Sequence, residues 1–398
     1  MLTSFQFIDS YLTEHQQFWR FEPFLVSEQS QLPWLSQQPA LCQWLDSLTP
    51  EQIEEYKQHF DRLVLACQPF FPSLNAFLKQ QQLSMLPLAG LQLERGIDSG
   101  VPGRKLEQIV AMGESALQAE SGSEWLEWCS GKGFLGRILA SQSQQKVTSF
   151  EYQQALCEAG QIEADKQGLP MQFVQGDAFA AESEQVFNVN QHAVALHACG
   201  DLHVSLINKA VKHHLPAMSI SPCCYHLIQA ERYQALSDAA QQSVLNLTKQ
   251  ELRIPLQELV TGGERVKRHR FEEMSYRLAF DILLRETLGY QHYLPIPSIK
   301  KSQLGEGFAA FCLWAAKQKS IELPQFDADE YLAKGEARFW RMEKLSLIQQ
   351  LFKRGIELWL VLDKALYLEQ HGYAVAISEF CSREVSPRNI LLQAKKLS

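Results

Sequence analysis

The sequence predicts an α/β protein: a seven-stranded sheet of five parallel strands with an antiparallel ending, preceded by a helical domain and interrupted by a helical insertion. Three observations predict it. From about residue 124, short apolar runs alternate with helical segments roughly twenty residues apart, the pattern of a parallel sheet covered on both faces. The first run, in the stretch EWLEWCSGKGFLGR, turns through Gly131 and Gly133 into an amphipathic segment. Two more strand-like runs end the chain on either side of Ser386-Pro387, close enough in sequence to pair antiparallel.

Length and composition agree with this. A chain of 398 residues that is 46% hydrophobic can fill the cores of two or three domains. The formal net charge of −8 gives no overall field to attract nucleic acid or an anionic membrane, so a polyanion must meet a local patch. Nine cysteines, an odd number without a C-x-x-C pair, fit reduced thiols in a cytoplasm better than a secreted disulfide framework. The N-terminus lacks the basic start and unbroken apolar core of a signal peptide, and no stretch reaches the roughly 18 apolar residues of a membrane span.

Residues 1–100 read as an acidic helical domain. Phe5, Ile8 and Leu12, then Ile53, Tyr56, Phe60 and Leu63, recur at helical spacing, and Thr49-Pro50-Glu51-Gln52 is an N-cap with proline at the first helical position. Its aromatics, among them Phe18, Trp19, Trp34 and Phe71, are assigned to packing. Turn formers from Pro87 to Gly103 mark a boundary.

The sheet core then runs over residues 101–226. A helix from Arg104 to Ala119 precedes strands at Trp125–Cys129, Val147–Phe150, Met171–Val174, Ala193–Leu196 and Met218–Ile220. Residues 227–340 read as a mainly helical insertion. The segment 341–398 supplies a long helix from about Met342 to Gln370, stopped at His371-Gly372, and strands at Tyr373–Ser378 and Asn389–Ala394.

The strand ends carry the chemistry. Gly131 and Gly133 let the backbone turn tightly and approach a ligand. Glu151 closes the second strand about twenty residues on, where a carboxylate can accept from both ribose hydroxyls. Asp177, in Gly176-Asp177-Ala178-Phe179, can accept from an adenine amine, and Tyr152 can lie against the ring. Gly136 completes G-x-G-x-x-G, so the motif by itself leaves a dinucleotide open. The strands that follow, carrying HACGD and SPCCYH, suit S-adenosylmethionine better.

These blocks resemble a class I methyltransferase with a Rossmann-like core. Specifically, WCSGKGFLGR, FE, GDAF, LHACGDL, SPCCYH and SPRNILLQAKK, in that order, are similar to the domain family shared by the eukaryotic tRNA 2′-O-methyltransferase of the acceptor stem and the glutathione S-transferase C-terminal domain-containing protein. The resemblance covers about residues 104–226 and 342–396. It implies S-adenosyl-L-methionine as cofactor, with Glu127, Gly131, Lys132 and Gly133 around the methionine part, Glu151 at the ribose, Asp177 at the adenine and His197 beside the sulfonium. Cys129, Ser130, Tyr152 and Ala178 complete the cofactor-binding set. Cys129 stands where such loops have their first glycine, and a φ below zero is expected there.

The fifth-strand block, Ser221 to His226, faces His197, Cys199 and Asp201 on the neighbouring strand. Three readings of it are open. It can shape an acceptor pocket in which His226 or Asp201 removes a proton. Alternatively, Cys223 or Cys224 can attack a pyrimidine as a thiolate. Finally, His197, Cys199, Cys223, Cys224 and His226 can hold zinc, although adjacent cysteines without C-x-x-C argue against it and no metal is assigned. The catalytic candidates are therefore Asp201, Cys223, Cys224 and His226.

Arg265, Lys267, Arg268 and Arg270 form the one dense basic run, a candidate RNA contact or a solvated helix face. The expectation is a methyltransferase acting on tRNA or rRNA. A protein side chain or small molecule as acceptor, and a non-catalytic S-adenosylmethionine-binding module, are the alternatives.

Overall fold

The structure, a computed structural model, describes residues 1–257 and 263–397; residues 258–262 of the expected insertion and the terminal Ser398 lie outside them. Its centre is one seven-stranded sheet in the order β3-β2-β1-β4-β5-β7-β6. The strands are β1 (Glu124–Trp128), β2 (Lys146–Glu151), β3 (Met171–Gln175), β4 (Gln191–Ala195), β5 (Ala217–Ile220), β6 (Tyr373–Glu379) and β7 (Ile390–Lys396). β1 to β5 are mutually parallel, and β7 pairs antiparallel with both β5 and β6. The expected seven-stranded Rossmann-like sheet is thus present, with each strand end at most two residues from its expected place.

Burial explains why these runs become strands. All five residues of β4 are buried, as are Trp125 to Trp128 of β1, so both faces of the central strands are covered. Cross-strand partners pack as rings: Trp125 stacks on His192 at 4.8 Å and Trp128 on Phe150 at 4.5 Å, each pair in direct register. On one face the helices Gly103–Gln118 and Phe134–Ser143 supply Met112, Ala116, Leu135, Ile138 and Leu139 to a core shared with Trp125, Val147, Val194 and Leu391.

The chain divides into two compact units. One comprises residues 1–14, 77–256 and 354–398 and contains the sheet; the other comprises residues 15–76 and 257–353. In the second, the Thr49 capping box forms as expected, with Thr49 Oγ1 accepting from the Gln52 amide at 3.3 Å. Phe18, Trp19, Trp34 and Phe71 are buried there. Also buried there is Arg338, which donates to Asp281 Oδ2 at 2.6 Å and to Ser27 Oγ at 3.1 Å.

Two stretches differ from expectation. The long helix spans Ala328–Gln370, beginning well before Met342, so the expected boundary at residue 340 falls inside it. The segment that precedes it, AKGEARFWR, is rich in helix formers and has no breaker other than one tolerated glycine. Residues 227–257, expected to open a helical insertion, are mostly irregular, with one four-residue helix at Asp238–Gln241 and a 3₁₀ turn at Glu251–Leu256. They are held by buried Asp363, whose carboxylate accepts from the Leu236 and Ser237 amides, Ser237 Oγ and Tyr233 Oη, the last at 2.7 Å.

Candidate functional site

The carboxyl edge of the sheet gathers the predicted residues. After β1 the chain turns through Cys129, Gly131 and Gly133, with φ of 57°, 59° and 70°. The expectation of a φ below zero at Cys129 is corrected: the turn out of β1 requires the left-handed region there as well. A residue with a Cβ gives up about 1–2 kcal/mol in that region. Burial pushes the Cys129 thiol up to about 12, with the charges of Glu151 and Cys199 adding to it. It is therefore a neutral thiol.

Hydrogen bonds tie this loop to the next two strand ends. Ser130 N–H donates to Phe150 O at 3.0 Å and Gly131 N–H to Glu151 Oε2 at 2.9 Å, while Glu151 Oε1 accepts from the Gln153 amide at 3.0 Å. Gly176 N–H donates to Glu151 O at 3.0 Å, bringing Asp177 alongside. Asp177 is exposed and its Oδ1 accepts from its own loop, at the Phe179 amide, at 2.9 Å. Buried Ala178 presents its carbonyl to Ser205 Oγ and Lys209 Nζ. Tyr152, the residue after Glu151, is 67% exposed.

Glu127 lies beneath the loop. Its carboxylate accepts from Ser149 Oγ at 2.8 Å under the start of the Phe134–Ser143 helix, where a Cβ on Gly136 would collide with it. Burial pushes its pKa up to about 7 against the lowering effects of Ser149, the Gly136 and Leu135 amides and Arg137. Lys132 stands exposed at the loop tip.

The ends of β4 and β5 are built differently. Their pairing continues past the strands in an isolated bridge between Cys199 and Cys223, with Gly200 N–H donating to Cys223 O at 3.1 Å. Gly200, at φ 55°, lies against the carbonyl of Leu227, where a Cβ has no room. Asp201 N–H donates to that same carbonyl, and Asp201 Oδ2 accepts from the Gln229 amide at 2.7 Å. This carboxylate clamps the fifth-strand loop. His197 at φ 110° and Cys224 at φ 47° are left-handed non-glycine residues in the two loops.

Beneath them Tyr225 is buried between His203, whose ring meets it edge-on at 6.2 Å, and Lys364, whose Nζ is 5.7 Å from the ring centre. Burial pulls Lys364 down to about 8, opposed by Asp363 and Asp201. The Cys224 thiol is drawn down to about 6, chiefly by its hydrogen bond with Cys223, while Cys223 is pushed up by its bonds with Cys199 and Cys224 and by burial. His226 is lowered by burial and by Arg253 and Lys249, and its Nδ1 is buried without a partner among the described residues.

Residues 104–231 match a family described as a methyltransferase domain. The match spans the strand ends just described from the glycine loop through SPCCYH. None of the curated proteins compared matches the chain. Among solved structures, the chain is similar to the tRNA (uracil-54, C5)-methyltransferase of Pyrococcus abyssi in complex with S-adenosyl-L-homocysteine, with 18% identity over 29% of this chain and 28% of that one and a TM-score of 0.24. It is also similar to a SAM-dependent methyltransferase from Aquifex aeolicus, with 15% identity over 32% of this chain and 72% of that one and a TM-score of 0.25. A third is a geranyl diphosphate methyltransferase in complex with GPP and sinefungin, with 12% identity over 35% and 55% and a TM-score of 0.24. This chain spans little more than a quarter of the Pyrococcus abyssi enzyme. The strand order and pairing define the fold independently of these likenesses.

The strand ends therefore bring together Cys129, Ser130, Gly131, Gly133, Glu151 and Asp177 on one side and Cys199, Asp201, Cys223 and Cys224 on the other, with His197 and His226 in the same two loops but outside the thiol cluster. The basic run lies in the other unit, on the helix Glu264–Leu288. Lys267 pairs with Glu264 at 3.1 Å, Arg268 with Glu272 at 3.7 Å and Arg270 with buried Glu343 at 2.6 Å. Sequence reading missed His203, Tyr233, Asp363 and Lys364, which support the fifth-strand loop. Asp363-Lys364 in the middle of an apolar helical stretch was the available signal, since buried charges need partners. Among the described residues, no helix is long and apolar enough to cross a membrane.

Proposed function

We propose that the chain is an S-adenosyl-L-methionine-dependent methyltransferase whose cofactor lies along the ends of β1, β2 and β3. One observation carries the reading: Gly131 donates to the Glu151 carboxylate and has open space where its Cβ would be, and beside it the Ser130 hydroxyl is buried without a partner among the described residues. A polar ligand that fills the space over Gly131 and bonds Ser130 resolves both.

Glu151 has a further lone pair on each oxygen for ribose hydroxyls, since each now accepts one amide. Asp177 and Tyr152 offer a carboxylate and a ring to the adenine, and the Gly131–Gly133 loop takes the methionine end. When bound, the cofactor supplies an electrophilic methyl group. The chain's own part is to orient the acceptor beside His197 and to exclude water. His226, whose Nδ1 is buried without a partner among the described residues, holds the proton that the acceptor gives up.

RNA is the acceptor class this reading carries. Among the described residues, Lys267 and Arg268 are held by surface ion pairs worth about 0–1 kcal/mol, which phosphates can displace, and Arg265 lies beside them. Arg270 is committed to Glu343. That commitment, with the acidic balance of the chain, favours a small molecule or protein side chain as the second reading. Incubation with methyl-labelled cofactor and separate RNA, protein and small-molecule fractions decides among them. Label in RNA supports the first reading, label elsewhere replaces it, and cofactor binding with no label in any fraction supports a non-catalytic module.

A further inference from the structure

Past the ends of β4 and β5 three thiols gather. The sulfurs of Cys199, Cys223 and Cys224 all lie within 4.8 Å of one another, and those of Cys199 and Cys223 are 3.6 Å apart. We propose that these three sulfurs bind a zinc ion, with the fourth coordination position open. The inference stands whether or not the chain transfers methyl groups.

Consecutive residues of an extended strand put their side chains on opposite faces, so Cys223 and Cys224 would not share a site if β5 simply continued. At Cys224 the backbone turns left-handed, at φ 47°, and swings the second sulfur to the side of the first. That conformation costs a non-glycine residue about 1–2 kcal/mol. The third sulfur arrives separately, through the bridge that sets Cys199 beside Cys223 and the hydrogen bond from Gly200 to Cys223 O. Two loops distant in sequence thus converge on one point, one of them through a strained cysteine.

The spacing fits the metal. Zinc–sulfur bonds of 2.3 Å in a tetrahedron place sulfurs about 3.8 Å apart, close to the 3.6 Å seen here and reachable from 4.8 Å by a small closure of the loops. Cys223 is buried and forms the floor, whereas Cys199 and Cys224 are partly exposed and leave one side open. Among the described residues no imidazole or carboxylate joins the group, so His197 and His226, included in the five-residue zinc reading of the sequence, fall outside it. Three protein ligands with a vacant fourth position is the arrangement of zinc sites that bind a water or a substrate donor atom.

The test is an anaerobic titration of the reduced full-length protein with Co²⁺, a spectroscopic stand-in for zinc. Expected is one Co²⁺ per chain, with thiolate-to-cobalt charge-transfer absorption that Zn²⁺ displaces. Cys199→Ser and Cys223→Ser lose the absorption, and Cys312→Ala, which alters a buried cysteine of the Phe308–Lys319 helix, keeps it. Circular dichroism checks folding, and partly exposed Cys199 decides the matter if the Cys223 variant does not fold. Absence of the charge-transfer band in folded, reduced protein, or a band that survives Cys199→Ser, overturns the proposal.

Discussion

The loop after β1 and the loop after β5 leave the sheet at the same edge and are held by opposite means. The first is a backbone device: Gly131 and Gly133 take left-handed conformations freely, and main-chain amides bond Phe150 O and the Glu151 carboxylate. The second is a side-chain device, in which Asp201 clamps the Gln229 amide and Tyr225 is wedged between His203 and Lys364. A loop made of backbone can be shared by many proteins that hold the same ligand, because it depends on few side chains. A loop made of particular side chains depends on the chain that carries it.

The largest expected effect breaks the second loop and spares the first. Gly200→Ala sets a Cβ against Leu227 O at a left-handed position, so stability measured by urea unfolding should fall by about 3 kcal/mol or more. Cofactor affinity in the folded fraction should change little. A loss below about 1 kcal/mol would show that the fifth-strand loop is not pinned there.

Next is Glu127→Gln, beneath the first loop. A carboxyl raised from 4.5 to about 7 is fully compatible with folding below its unfolded pKa, and that contribution is lost as pH rises through about 7. The native chain should therefore lose on the order of 3 kcal/mol between about pH 4.5 and pH 8 that the variant keeps. Equal pH dependence of stability in the two proteins would place the Glu127 carboxylate in water.

The smallest effect concerns Cys129. Cys129→Gly removes left-handed strain of about 1–2 kcal/mol and adds chain entropy to the unfolded state, leaving stability unchanged or about 1 kcal/mol higher. Thermal unfolding measures it, and a loss above about 1 kcal/mol would mean that the thiol's packing outweighs its backbone cost.

The same contrast governs what the sequence made legible. Alternation of apolar runs and helices located every strand, because parallel sheets leave a strong periodic signal, and the carboxylates Glu151 and Asp177 stand at strand ends where such sheets bind ligands. What escaped depends on contacts far apart in the chain. Asp363 organises residues 233–237 from well over a hundred positions away; its place in an apolar helical stretch signals a buried charge, but nothing local names the segment that answers it. The φ of Cys129 escaped because a cysteine is no marker of a left-handed turn, and the convergence of Cys199 with Cys223 and Cys224 depends on strand register and one unusual dihedral. The pairing of Arg270 with Glu343, 73 residues on, likewise changes how the basic run reads.

Calorimetric titration of the intact protein with S-adenosyl-L-methionine, alongside Glu151→Ala, tests the central claim most directly. The account predicts one saturable site per chain and at least about tenfold weaker binding in the variant, since Glu151 anchors Gly131 and, in the proposed reading, would accept from the ribose. No binding by the folded native protein, or equal affinity in the two, would contradict it.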